Sequence, residues 1–100
     1  MHTYAIFRRN GWASPRLLER AAARSRRVGD EEMPDRIRWI RSYVIEDQDG
    51  SLGTVCIYEA RDDAAVREHA QRAGLPADEV RRVVETVIVR PDPVAAGAVS

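Results

Sequence analysis

Periods of two and of about 3.6 alternate along this chain, and each switch marks an element boundary. His2 to Arg9 carries Tyr4, Ile6 and Phe7 and stops at Asn10-Gly11, which predicts a strand. Ser14-Pro15 opens a helix: the serine hydroxyl can accept from an orphan amide, and proline at the first helical position has no amide to satisfy. Leu18, Ala21, Ala22, Ser25 and Val28 then recur at helical spacing, and Gly29 is placed to end the helix in a left-handed conformation. Arg16, Arg20, Arg24 and Arg27 fall on the other side and read as a solvated face.

Beyond the acidic loop Asp30–Asp35, RIRWIRSYVIE is rich in β-branched and aromatic residues and reads as a strand. By parity Ile40 and Val44 share a face with Arg38 and Ser42, whereas Trp39, Arg41 and Tyr43 share the other. Asp49-Gly50 is a hairpin signal, and Thr54 to Ala60 is the returning strand, with Val55 and Ile57 on one face and Cys56 and Tyr58 on the other. With Asp49 and Gly50 as the central turn residues, Tyr43 faces Cys56, Arg41 faces Tyr58 and Val44 faces Val55. A bulge at Gly53 would shift that register. Asp62 or Asp63 caps a second helix to about Ala73, with a stripe of Ala65 or Val66, His69 or Ala70, and Ala73; Gly74 and Pro76 end it. RVVETVIV, Arg82 to Val89, predicts the last strand.

Two β-α-β half-units joined by a hairpin, each favouring a right-handed crossover, interleave into one sheet. The expected fold is therefore α+β: a ferredoxin-like split βαββαβ, a four-stranded antiparallel sheet with two helices on one face. It would occupy residues 1–90 as a single domain, leaving PDPVAAGAVS, residues 91–100, as a flexible C-terminal tail.

Helices on one side leave the other side of the sheet bare. Parity assigns Trp39, Tyr43, Tyr58 and Cys56 to that open face, with Phe7 or Ile6 from the first strand. An apolar, aromatic open face wants a cover. This predicts a homodimer packing sheet on sheet, with a ligand or metal pocket between the sheets or at their rim. Trp39, Tyr43 and Tyr58 are the expected ligand-contacting residues.

Composition narrows the chemistry. A chain of 100 residues can bury about two-thirds of its unfolded surface, enough for one core without disulfides. Its 16 acidic residues balance 16 basic ones, every one of them Arg, so lysine chemistry is excluded. Zero net charge argues against a nucleic-acid partner. Cys56 is the single cysteine, which excludes an intramolecular disulfide and any CxxC metal motif. MHTYAIFRRNGW has no apolar targeting core, and no stretch is long enough to span a bilayer, so a cytoplasmic protein with no membrane partner is expected.

RWIRSYV, TVCIYEA and AVREHAQRAGLPADEV, in that order and spacing, resemble a family of small bacterial ferredoxin-like nickel-binding proteins, formerly a domain of unknown function. The resemblance runs from about Arg36 to Val84, more weakly in the first strand, and implies a βαββαβ homodimer with possible nickel binding and no established enzymatic activity. Two positions depart from the family's pattern: Phe7 stands where an acidic residue is usual, and Arg61 follows YEA in place of proline. The first departure removes one hard ligand near the sheet.

Nickel takes imidazole, thiolate and carboxylate donors, and within this chain the candidates are His69, Cys56, Glu59 and His2. Each has a plainer reading: His69 borders the buried stripe of its helix, Cys56 suits a buried interface, and His2 adjoins a terminus. A dimer would double the donors, so a metal bridging subunits is easier to build than one within a chain. No Ser-His-Asp spacing, HExxH or phosphate-binding glycine loop is present, so no catalytic residue is assigned. The leading expectation is a non-catalytic metal- or small-ligand-binding homodimer. The alternative is a small cofactor-independent enzyme, monooxygenase- or dehydratase-like, of the dimeric α/β-barrel type. Its pocket would lie between sheet and helices, with His69 as base, Tyr58 as proton donor and Trp39 as an aromatic wall.

Overall fold

The computed structural model describes residues 1–93; of the expected tail, residues 94–100 lie outside the described residues. The elements run β1 (His2–Trp12), α1 (Pro15–Arg27), a π-helical turn (Val28–Glu32), β2 (Ile37–Glu46), β3 (Leu52–Ala60), α2 (Asp63–Ala73) and β4 (Glu79–Val83). The strands pair antiparallel in the order β2-β3-β1-β4, the interleaved sheet expected of the split βαββαβ arrangement.

The helix ends follow their residues. Ser14 caps α1 by accepting from the Leu17 amide at 3.4 Å, with Pro15 in the first turn. Asp62 caps α2 through the Ala65 amide at 2.9 Å. Gly74, at φ 68°, closes α2 in the left-handed conformation as Leu75 N donates to Ala70 O. Gly29 does not terminate α1. Its φ is not positive, and the chain runs on through the π turn, where Met33 N reaches back to Val28 O at 3.0 Å. Arg24 stays on the exposed face expected for it, its Nε donating to Ala73 O at the end of α2, where carbonyl oxygens are in excess.

The hairpin corrects the face assignment. Asp47 N donates to Ser51 O and Gly50 N to Asp47 O, so Gln48, Asp49 and Gly50 form a three-residue loop rather than a two-residue turn. Tyr43 thereby faces Val55, Ser42 faces Cys56 and Val44 faces Thr54. A second irregularity lies at Ile40, between the pairs Trp39–Tyr58 and Arg41–Ile57. Trp39 therefore shares a face with Tyr58 while Arg41 and Tyr43 take the other. Because side chains alternate with a period of two, these single-residue shifts move whole sets of residues across the sheet.

Tyr58 and Cys56 lie in the core under the helices with Trp39 packed against them, not on the open face. Tyr4, Ile6, Cys56, Tyr58 and Ala60 of the sheet pack with Val28, Met33, Ile37, Ala65, Val66 and Ala73 as the core. Thr3, Ala5, Phe7, Val55, Ile57, Tyr43 and Ile45 belong to the opposite face.

β1 continues past Asn10-Gly11 to Trp12 through a bulge, with Asn10 left-handed at φ 53°. Asp47 accepts from the Asn10 amide and Asp78 from the Arg9 amide, both at 2.7 Å. Gly53 sits opposite; a Cβ there would lie 2.6 Å from Arg8 O, so only glycine fits.

The last strand begins earlier and ends earlier than expected, at Val83. Beyond it the chain crosses the open face, and Asp92 meets Arg41 at 3.0 Å and the Tyr43 hydroxyl at 2.8 Å on the far strand. Both alternating sets in RVVETVIV mix apolar with polar residues, so the pattern contains no signal for where pairing stops.

Candidate functional site

α1 presents small side chains to the sheet. Ala21, Ala22 and Ser25 occupy its inner face, and opposite them stand the large rings of Trp39 and Tyr58. The mismatch leaves a cleft of about 550 Å³ between helix and sheet, within the range of small-molecule sites. Trp12, Leu18, Val44 and Leu75 supply further apolar wall. Trp39 and Tyr58 are parallel, with centroids 6.2 Å apart, and Arg26 lies 5.8 Å from the Trp39 ring centre.

A polar line crosses the sheet at this cleft. Trp39 Nε1 donates to Ser42 Oγ at 2.8 Å, Ser42 Oγ to Cys56 Sγ at 3.0 Å, and Cys56 Sγ to Thr54 Oγ1 at 3.3 Å. Deeper in, the Tyr58 and Ser25 hydroxyls share a 2.8 Å hydrogen bond. Burial pushes the Tyr58 hydroxyl pKa up, with nearby Arg8 opposing, so the phenol stays protonated.

Arg8 is the unexpected member. Its place in β1 has the same parity as Tyr4 and Ile6, which carries its side chain into the covered layer at 2% exposure. Nε donates to Pro76 O at 2.7 Å and the guanidinium lies 5.8 Å from the Tyr58 ring centre. Nη2 is buried and, among the described residues, finds no hydrogen-bond partner. Among the described residues no carboxylate pairs with Arg8. The alternation Tyr4-x-Ile6-x-Arg8 was the available signal.

The residues expected to contact ligand are divided. Trp39 and Tyr58 wall the cleft together; Tyr43 lies across the sheet, lining a separate hollow of about 480 Å³ with Ile57, Glu59 and residues 85–88. The metal-donor candidates are likewise apart. Cys56 is tied to Ser42 and Thr54. His69 is 1% exposed, with Nε2 3.0 Å from Ser25 O, and burial lowers its pKa so that the ring is neutral near pH 7. Glu59 belongs to the open face, and His2 lies exposed at the start of β1, Nδ1 3.0 Å from Arg82 Nη2. Among the described residues no group of three His, Cys, Asp or Glu side chains is placed to hold a metal ion. His69 packs behind Tyr58, centroids 5.2 Å apart, and borders a smaller hollow of about 120 Å³ rather than the main cleft. No helix among the described residues is long and apolar enough to cross a membrane.

Comparison with protein families matches residues 4–83 to the family described as nickel responsive protein SCO4226-like. Comparison with curated proteins finds no match. Among solved structures, the crystal structure of SCO4226 from Streptomyces coelicolor A3(2) is similar, with a TM-score of 0.65 at 19% identity, covering 85% of this chain and 99% of that one. At that identity the likeness establishes a shared fold.

Proposed function

This chain belongs to the nickel responsive protein SCO4226-like family, and on that footing we propose that it is a small-ligand-binding protein whose site is the cleft between α1 and the sheet. The observation that carries the reading is the cleft itself: about 550 Å³, walled by Trp12, Trp39, Tyr58 and aliphatic side chains, with a few convergent polar groups. An apolar fluorescent probe tests it. Anilinonaphthalene sulfonate is expected to show saturable, one-site enhancement with the folded protein, abolished in Ala22→Trp, which fills the cleft from α1. Equal enhancement by a folded Ala22→Trp variant defeats the reading.

The protein acts as a homodimer through its open face. Supporting this, Tyr43, Ile45, Val84, Val87, Ile88 and Val89 are all exposed there or on the segment that crosses it. Light scattering should return twice the 11.3 kDa chain mass, falling to one chain in Ile88→Arg. A wild-type protein of single-chain mass at micromolar concentration overturns this.

Nickel response is carried in the family's description. Among the described residues the donors of one protomer do not fit a nickel centre, since His69 and Cys56 are buried in separate hydrogen-bonded settings and Glu59 lies across the sheet. A bound nickel ion would have to draw on donors from two protomers. Ni²⁺ titrated into untagged protein should then bind at one equivalent or fewer per chain and depend on His2; stoichiometric binding that survives His2→Ala and disappears in His69→Ala would refute that placement.

A further inference from the structure

The polar end of the cleft has a charge and no counter-charge. Arg8 is 2% exposed, yet among the described residues it makes no ion pair, and Nη2 has no acceptor. Burying a guanidinium this way is costly: a charge out of water needs either a partner charge or a full set of hydrogen bonds, and Arg8 has one bond, to Pro76 O. The Tyr58 ring face at 5.8 Å offsets part of that cost and no more. The cleft's lining does include one carboxylate, Glu19, on the exposed outer side of α1, but it makes no pair with Arg8.

Beside Arg8 lies Thr54, its cross-strand partner in the β1–β3 ladder. Thr54 Oγ1 accepts the last bond of the line that begins at Trp39, so its own proton remains to be given. The donors are thus directed one way, from Trp39 through Ser42 and Cys56 to Thr54, and end next to the unpaired guanidinium. Such an end is built to receive acceptors, and a carboxylate suits a planar guanidinium best because it can take two parallel N–H bonds.

We propose that the cleft binds an organic anion, specifically an aromatic or branched apolar carboxylate. Its carboxylate is taken by the Arg8 guanidinium and the Thr54 hydroxyl, and its apolar body lies between α1 and the rings of Trp39 and Tyr58. This rests on the reading of the cleft as a ligand site. The anion cancels the buried charge and fills the donor that the protein leaves open. The small residues of α1 set the thickness of the slot, and Arg26, 5.8 Å over Trp39, adds a second positive charge on the helix side.

Paired probes test it. Calorimetric titration with 2-naphthoate and with 2-naphthamide compares an anion with a neutral molecule of nearly the same shape. Wild type is expected to bind the naphthoate at least tenfold more tightly than the amide. Arg8→Met should remove that preference while leaving amide binding within about threefold, and Thr54→Val should weaken naphthoate several-fold with little change for the amide. Equal binding of both probes by wild type overturns the anion proposal and leaves the cleft standing. A preference that persists in a folded Arg8→Met, or one that is undiminished in a folded Thr54→Val, also overturns it. Binding of neither probe defeats the proposal and the cleft reading together. The wild-type comparison alone decides the matter should Arg8→Met fail to fold.

Discussion

Acidification from pH 7 to pH 5 should destabilise this fold through a single side chain, His69. The ring is 1% exposed beneath α1 and against Tyr58. Burial lowers its pKa from the ordinary 6.5; the bond to Ser25 O opposes this, and the positive charge of Arg8 lowers it further. Unfolded chains therefore take up a proton near pH 6.5 that the folded ring refuses until a lower pH. Stability is full above about 6.5 and declines as pH falls toward the folded value. Within that window the loss is about 1.4 kcal/mol per pH unit, so pH 5 sets a ceiling of about 2 kcal/mol. For a domain of this size that is roughly 10 °C in Tm. Glu68, Glu79 and Asp49 are held below their ordinary values of 4.5, 4.5 and 3.8 by hydrogen bonds from Arg36, Arg81 and Ser51 respectively, so their contributions are lost only at more acid pH. Urea denaturation followed by circular dichroism at pH 7, 6 and 5 measures the slope. His69→Gln keeps a donor for Ser25 O without a titrating ring; it should be less stable at pH 7 and flat down to pH 5. Parallel pH profiles for the two proteins would refute the assignment.

Gly53→Ala should cost about 1–3 kcal/mol, because the added carbon would lie 2.6 Å from Arg8 O and from Asp47 Oδ2; Gly50→Ala, at φ 85° with open space around it, should cost about 1 kcal/mol. Chemical denaturation of both checks the order, and a larger loss at Gly50 contradicts it. The Cys56 thiol, 5% exposed, should react with a disulfide reagent only as fast as the protein opens, and reaction at the free-thiol rate in native buffer would contradict its burial. Asp62→Ala removes the cap on the Ala65 amide and should lower stability by about 1 kcal/mol, read from the urea midpoint.

Much of the architecture was legible along the chain, because caps and stripes are local. Ser14-Pro15 and Asp62 begin the helices, Gly74 ends the second, and the stripe from Ala65 to Ala73 faces the core. The resemblance carried by RWIRSYV and TVCIYEA also names the family that the comparison matches. The site was far less legible. Trp39 and Tyr58, expected on one face of the sheet, do lie on one face, but it is the covered side, where the enzyme alternative had located a pocket. Arg8 carried a signal, its parity with Tyr4 and Ile6, that is easily passed over because an arginine in a strand is usually solvated.

What the sequence by itself determined is the order and type of the elements, since periodicity, caps and breakers act within a few residues of where they stand. It also determined which residues of β3 lie together, Cys56 with Tyr58 and Val55 with Ile57, since alternation holds along any strand. Only the tertiary structure decided which of those sets the helices cover. A three-residue turn at Gln48–Gly50 and an extra residue at Ile40 select the register of β2, and alternation names two faces without saying which is inside. The same tertiary choice closes α1 over Arg8, turning a charged strand residue into a buried cation of the cleft that has no ion pair among the described residues.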